Sequence, residues 1–387
     1  MRRLDLLADN EVQLLHCGTD YFPALLDAID AAQLEIYFET YIFADDDTGR
    51  RVLGALQAAA RRGVAVRMIT DWFGTGHRTA RRLHEAATGA GAEHRIFNPW
   101  FRRGVTRTHR KICVVDGHIA FVGGININDD LYADHPPRLA LAAPRWDFAV
   151  AVRGPLVETI HQEAVAQWQR QGHMNLVRRI SLFNEMRKAN KAARQSTMQA
   201  GFVVRDNLRN RRTIQRAYLH ALGRARKSVL LANPYFAPGR KFRRALAATA
   251  QRGVEVVLLI GVGELWLQDA VAHSFYPKLL EAGVKVVEYR KTQLHGKVAV
   301  IDDDWATVGS SNVDGLSLFL NQEANVVIKD EAFARALRSR IEEAVAEGVV
   351  IHPQDFEHVG RFRRIGYEVA YIVYRTLMRI FAVGKYA

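Results

Sequence analysis

Cysteine is nearly absent from this chain: Cys17 and Cys113 are the two it has in 387 residues. That excludes a disulfide framework, and Cys113 falls inside an apolar run where a buried thiol is expected. No CxxC or HExxH pattern occurs, so the spacings that announce a zinc site are missing as well. Also missing are a run of about eighteen apolar residues, which a membrane-spanning helix requires, and the apolar stretch of a secretory leader. The expectation is a soluble or membrane-surface protein with an intracellular address. Acid is in deficit: 54 Lys and Arg face 41 Asp and Glu, giving a formal charge of +13 and a pI near 9.9. Such a balance calls for an anionic partner, and charge alone does not separate nucleic acid from anionic lipid. At 49% hydrophobic residues and this length, there is material for a core in each of two α/β domains.

What is present is a duplication. "LEIYFETYIFADDDTGRRVLGALQAAARRGVAVRMITD", from Leu34, aligns with "SVLLANPYFAPGRKFRRALAATAQRGVEVVLLIG", from Ser228. Each reads as a strand, a loop, a helix with apolar residues three and four apart, and a Gly-Val turn into a second strand. Gly63 and Gly253 end those helices, where a residue without Cβ is favoured. A second helix ending near Gly91 or Gly283 and another strand follow. Then come "THRKICVVDGHIAFVGGIN", residues 108–126, and "LHGKVAVIDDDWATVGSSN", residues 294–312. Both carry His, Lys two places on and Asp five further: His109, Lys111 and Asp116, then His295, Lys297 and Asp302.

The apolar runs Ile112–Val115 and Val298–Ile301 predict buried strands. Residues two apart share a strand face, so each histidine points the same way as its lysine. An imidazole beside an ammonium calls for an anion, or for one of the two to lose its charge. A single such pair would suit a satisfied core histidine and a snorkelling lysine; the repeat argues for a site. Lys111, Lys297, Asn126 and Asn312 are suited to neutralise and fix a phosphodiester, meeting developing charge with donors already in place. One neutral imidazole then attacks phosphorus to give a phosphohistidine. The other, protonated, donates to the departing alkoxide and next serves as base toward an incoming hydroxyl. The scheme uses neither metal nor cofactor.

Paired HxKxxxxD segments with trailing "GGIN" and "GSSN" resemble the phospholipase D superfamily over nearly the whole chain. Within it the chain is most similar to bacterial cardiolipin synthases of the shorter type, on "FETYIFADDDTGRRVLGAL", "DFAVAVRGPLV", "ANPYFAPG" and "NQEANVVI". The resemblance implies an α/β fold of two pseudo-two-fold-related domains, each a mixed sheet flanked by helices, sharing one composite active site. It implies a carboxylate beyond each motif that bonds the non-reacting imidazole nitrogen. Glu323 stands at the family spacing after His295; the same spacing after His109 lands on Pro137, and Asp147 matches Glu323 by context, beyond an inserted loop (the stretch "LYADHPPRLALAAPR"). The insertion is expected to line the substrate entrance. Asp116 and Asp302 join the catalytic set, with local backbone or the lysines as their expected partners. The resemblance favours His109 as nucleophile. Tyr41, Tyr235 and Ser310 are candidates for substrate contact, with aromatic packing the alternative for the tyrosines. His118, His135, His173, His220 and His273 have no partner at an informative spacing.

The expected organisation is a first domain over 1–169, a basic connection over 170–200, a second domain over 201–355 and a basic amphipathic tail over 356–387. In the connection Leu176, Ile180 and Phe183 fall at helical spacing. In the tail Arg361, Arg364, Glu368, Arg375 and Arg379 form one stripe, and Phe362, Ile365, Val369, Ile372, Val373, Leu377, Ile380 and Phe381 fill the remainder. That pattern suits an interfacial helix or a helix packed on the body. The tail tilts the anionic partner toward phospholipid and the membrane surface and away from nucleic acid. With the resemblance, the expected activity is phosphatidyl transfer that makes cardiolipin, at the cytoplasmic side of a bacterial cell membrane. A hydrolase or a nuclease would use the same residues, and a non-enzymatic lipid-binding protein is the alternative of another class.

Overall fold

In both halves of the chain two parallel strand pairings are followed across the sheet by three antiparallel ones. The computed structural model describes residues 4–102, 104–134, 139–172, 197–206, 210–314, 321–357 and 361–381. It divides into two units: Met1–Asp129 with Ala149–Phe202, and Asp130–Phe148 with Val203–Ala387. Residues 130–148, which contain the insertion that the sequence attaches to the first half, thus belong to the second unit.

The first sheet contains β1 (Glu11–His16), β2 (Glu35–Thr40), β3 (Ala65–Asp71), β4 (Glu93–Phe97), β5 (Ile112–Val115), β6 (Ile119–Gly123) and β7 (Phe148–Arg153) in the order β1-β7-β6-β5-β2-β3-β4. The second contains β8 (Gln199–Arg205), β9 (Ser228–Asn233), β11 (Glu255–Gly261), β12 (Lys285–Tyr289), β13 (Val298–Ile301), β14 (Trp305–Gly309), β16 (Glu323–Lys329) and β17 (Val349–Ile351). Its order is β17-β12-β11-β9-β13-β14-β16-β8. Read from the other edge, that is the first order again with β17 added. Short strands β10 (Phe236–Ala237) and β15 (Val313–Asp314) pair in parallel; the first unit has a single parallel bridge, Phe43 to Ile127, in the same place.

Local chemistry explains the crossovers. Asp46 caps the helix Asp47–Arg61 by accepting from the Gly49 amide at 2.9 Å. Val52, Leu56 and Ala59 bury its inner face against β2 and β3, each larger side chain contributing roughly 1.5–3 kcal/mol. Gly63 then turns the chain at φ 95°, and Gly253 does the same at φ 87°. Helices Cys17–Ala31, Asp47–Arg61 and His77–Gly89 supply one side of the first core, while Leu156–Arg170 covers β2, β5 and β6. Helices on such a sheet bury β5 and β13 completely, as the apolar runs predict. Cys17 and Cys113 are both buried, and neither forms a disulfide.

Among the described residues no helix is long and apolar enough to cross a membrane. The helix Arg361–Phe381 packs on the helix Trp266–His273. Tyr367 rests against His273, Tyr371 against Phe275, and Ala370 is buried. Its opposite face leaves Ile365, Val369, Ile372 and Val373 exposed at 56%, 51%, 58% and 44%. Packing and an uncovered apolar stripe therefore coexist on one helix. The tail's Arg361, Arg364, Arg379, Phe362, Leu377, Ile380 and Phe381 side chains lie outside the described residues. So do Leu176, Ile180 and Phe183 of the connection, His173, and His135 with the adjoining Pro pair.

Candidate active site

Each HxK segment approaches its sheet just before a central strand, so the backbone places His and Lys at the end of that strand. In the first unit Lys111 Nζ donates to the His109 carbonyl at 2.8 Å. Tyr41 sets its ring edge-on to His109, centroids 4.8 Å apart, and the ammonium of Lys111 lies 5.2 Å from the Tyr41 ring centre. Asn126 is buried and accepts from the Ile42 amide at 3.3 Å, next to Tyr41.

What fixes this strap was not singled out from the sequence. Arg110, buried between His109 and Lys111, pairs with Glu39 at 3.3 Å and Glu163 at 3.0 Å. Thr108 Oγ1 donates to the same Glu39, and the Thr108 amide donates to Asp71 at 2.8 Å. Burial pushes the Asp71 carboxyl up to about 6, against the pull of three backbone donors from Gly74, Thr108 and Phe73. Only the quoted "FETYIF" hinted at Glu39, as a carboxylate on an otherwise buried strand.

The second unit is built differently at the middle position. Gly296 replaces an arginine, and a Cβ there would come within 2.7 Å of the Trp146 ring. That space admits the Trp146 ring, and Ala143, Arg145 and Trp146 lie along the motif. The amides of His295 and Gly296 both donate to the Trp146 carbonyl, at 2.9 and 2.8 Å, and the Trp146 amide donates to Gln293 at 3.0 Å. The consequence is chemical: Asp147 Oδ2 accepts from His295 Nδ1 at 2.5 Å. The sequence placed Asp147 as the carboxylate of the first motif; in the structure its imidazole is that of His295. Glu323, expected on His295, instead accepts from Ser310 Oγ at 2.5 Å, and that hydroxyl accepts from the Ala324 amide at 3.0 Å.

Lys297 is fully buried, donates to the His295 carbonyl and lies 3.9 Å from Asp147. Burial pulls its ammonium down to about 8, and Asp147, Asp134, Glu323 and Glu264 hold it from falling further. Tyr235 donates to Glu264 at 3.0 Å, Gln293 donates to the same oxygen at 2.9 Å, and Arg145 donates to Gln293 at 3.1 Å. Burial raises Glu264 to about 7. Asn312 is brought near Tyr235 by the β10–β15 pairing. Its buried side-chain oxygen has no partner among the described residues, which leaves hydrogen-bonding capacity for a polar ligand.

Asp116 and Asp302 are not part of either group. They sit at the far ends of β5 and β13, at φ 52° and 51°, a left-handed conformation that aspartate tolerates. Asp116 accepts from the amides of Gln33, Leu34 and Glu35, and Asp302 from those of Arg226, Lys227 and Ser228. They tie the start of β2 and of β9 to the hairpin turn. Among the described residues no group of three or more His, Cys, Asp or Glu is placed to hold a metal ion.

Two α/β units of one topology, each presenting His and Lys at the end of a central strand, define a protein of the phospholipase D-like class. The family described as "Cardiolipin synthase, PLD-like domain" matches this chain twice, over residues 25–134 and 218–345. Cardiolipin synthase B of Escherichia coli K12 is 39% identical over 353 residues, covering 87% of this chain and 81% of that one. Cardiolipin synthase A of Pseudomonas aeruginosa LESB58 is 33% identical over 384 residues, covering 96% and 74%. The crystal structure of phosphatidylserine synthase from Haemophilus influenzae Rd KW20 shares the fold, with a TM-score of 0.70 at 13% identity, covering 98% and 97%. The chain belongs to the cardiolipin synthase family of phospholipase D-like proteins, and with it is an enzyme of the phosphatidyltransferase kind.

Proposed function

We propose that the enzyme moves the phosphatidyl group of phosphatidylglycerol or phosphatidylethanolamine onto a hydroxyl of phosphatidylglycerol, through a covalent phosphohistidine. The carrying observation is the buried triplet Asp147, His295 and Lys297: an oriented imidazole beside a cation that burial alone would discharge. An anionic phosphodiester in contact with Lys297 would favour the charged ammonium further, which suits this lysine to hold the phosphate. His109 and His295 serve one reaction, one as nucleophile and one as proton donor. Lys111, Lys297, Asn126 and Asn312 hold the phosphate, Asp147 orients His295, and Tyr41, Tyr235, Ser310 and Glu323 shape the surroundings. The pure protein is expected to make cardiolipin from labelled phosphatidylglycerol with release of glycerol, or from labelled phosphatidylethanolamine mixed with phosphatidylglycerol with release of ethanolamine, and to leave single-stranded DNA intact. Phosphatidic acid as main product would move the reading to hydrolysis, and cleaved DNA to a nuclease.

Making cardiolipin also requires keeping water from the phosphohistidine while a second lipid arrives, which favours work at a lipid surface. The exposed stripe Ile365, Val369, Ile372 and Val373 suits shallow insertion, with a positively charged protein drawn to anionic headgroups. Because the other face of that helix is packed, truncation would confound membrane binding with stability. Changing Val369 and Ile372 to aspartate tests the exposed face alone. Sedimentation with anionic vesicles is expected to weaken at least about tenfold, with an unchanged thermal melt. Undiminished binding would remove this face from the account.

A further inference from the structure

The stretch between Asn126 and Asp147 is longer than its counterpart between Asn312 and Glu323, and most of it, from Asp130 onward, belongs to the second unit. Within that unit it brings a second carboxylate to His295. Asp134 Oδ2 lies 3.9 Å from His295 Nε2, across the ring from the nitrogen that Asp147 holds, and its side chain is 5% exposed. Its other oxygen is anchored by Arg145 Nη2 at 3.0 Å. Arg145 is itself fixed by Asp130 at 3.6 Å, by Gln293 at 3.1 Å and by the Tyr132 carbonyl at 2.5 Å. The guanidinium therefore aims Asp134 at the ring.

An imidazole with a carboxylate facing each nitrogen is biased toward its doubly protonated form. Lys297 opposes the bias, but its Nζ sits on the His295 carbonyl rather than on the ring. Arg145 offsets part of the Asp134 charge, and Glu264, behind Gln293, adds negative charge when ionised. Two histidines that share one reaction must differ in protonation, and the unequal insertion supplies a difference.

We propose that Asp134 is a positioning residue that holds a proton on Nε2 of His295, which readies this histidine for the proton-donor role that the nucleophile His109 leaves to it. The proposal rests on the phosphohistidine reading above. In the step it serves, a ring nitrogen of His109 forms the N–P bond as the P–O bond breaks. The electron pair of that bond stays with the alkoxide oxygen, which takes the Nε2 proton of His295. In the second step neutral His295 takes the proton of the acceptor hydroxyl as its oxygen displaces His109.

The test compares Asp134→Asn with the unaltered enzyme on two donors. Phosphatidylglycerol has an alkoxide leaving group that needs a proton; phosphatidyl-p-nitrophenol has one that does not. Asp134→Asn is expected to lower the His295 pKa, read by NMR titration of ring nitrogens, by about one to two units. Release of glycerol should fall about ten- to a hundredfold at neutral pH, and release of p-nitrophenol by no more than about threefold. Asp134→Glu should restore much of the first rate. An unchanged titration, or equal losses on both donors with a lowered melt, would make Asp134 a structural anchor for Arg145 and overturn the proposal. If the unaltered enzyme formed no histidine adduct from either donor, the phosphohistidine reading would fall, and this role with it. An adduct with an unchanged titration would sink the assignment of Asp134 alone.

Discussion

Replacing His109 or His295 singly with alanine is expected to lower cardiolipin formation by at least about a thousandfold. Removing either the nucleophile or the proton donor disables the whole unit. The loss should appear in the rate rather than in lipid binding, because Lys111, Lys297 and the two asparagines remain. His295→Ala leaves the Asp147 carboxylate buried with one partner fewer, at a cost of about 1–3 kcal/mol. His295→Asn, whose amide can still donate to Asp147, separates chemistry from folding: it should melt close to the unaltered protein and remain inactive. Near-normal turnover in either variant would mean that the two motifs do not serve one reaction.

Asp147→Asn is expected to lower transfer by about a hundred- to ten-thousandfold with the fold intact, as when an orienting carboxylate becomes a neutral amide. The sign follows from charge. A carboxylate 2.5 Å from Nδ1 favours the protonated ring, so its removal lowers the His295 pKa and shrinks the protonated fraction at neutral pH. Ring-nitrogen NMR identifies the partner directly. The substitution should shift the resonances and titration of His295 and leave those of His109 close to their original positions. The opposite pattern would restore the assignment that sequence context suggests.

That assignment shows where sequence reading stops. The buried runs Ile112–Val115 and Val298–Ile301, the left-handed Gly63 and Gly253, and the His–Lys pairing at strand ends follow from short-range rules, so spacing alone carries them. The repeat then gives the topology twice. The partner of Asp147 depends instead on where an insertion of irregular backbone lies. Contacts distant in sequence decide that: Arg145 to Gln293, the Trp146 carbonyl to His295, and the space left by Gly296. Gly296 against Arg110 was a visible difference between the motifs, and it marks where the ring of Trp146 enters. Likewise Asp116 and Asp302 share the motif's spacing with the reactive residues, yet four residues of extended strand put them at its other end.

The central claim is a covalent intermediate on one histidine. Rapid quenching of the enzyme with phosphatidylglycerol labelled at phosphorus, followed by mass analysis of peptides under alkaline conditions, tests it most directly. The account predicts a phosphatidyl group on the peptide carrying His109 alone, which disappears into cardiolipin when unlabelled phosphatidylglycerol is added, and which is absent from His109→Ala. Cardiolipin formed at full rate with no labelled histidine, or label on His295, would contradict it.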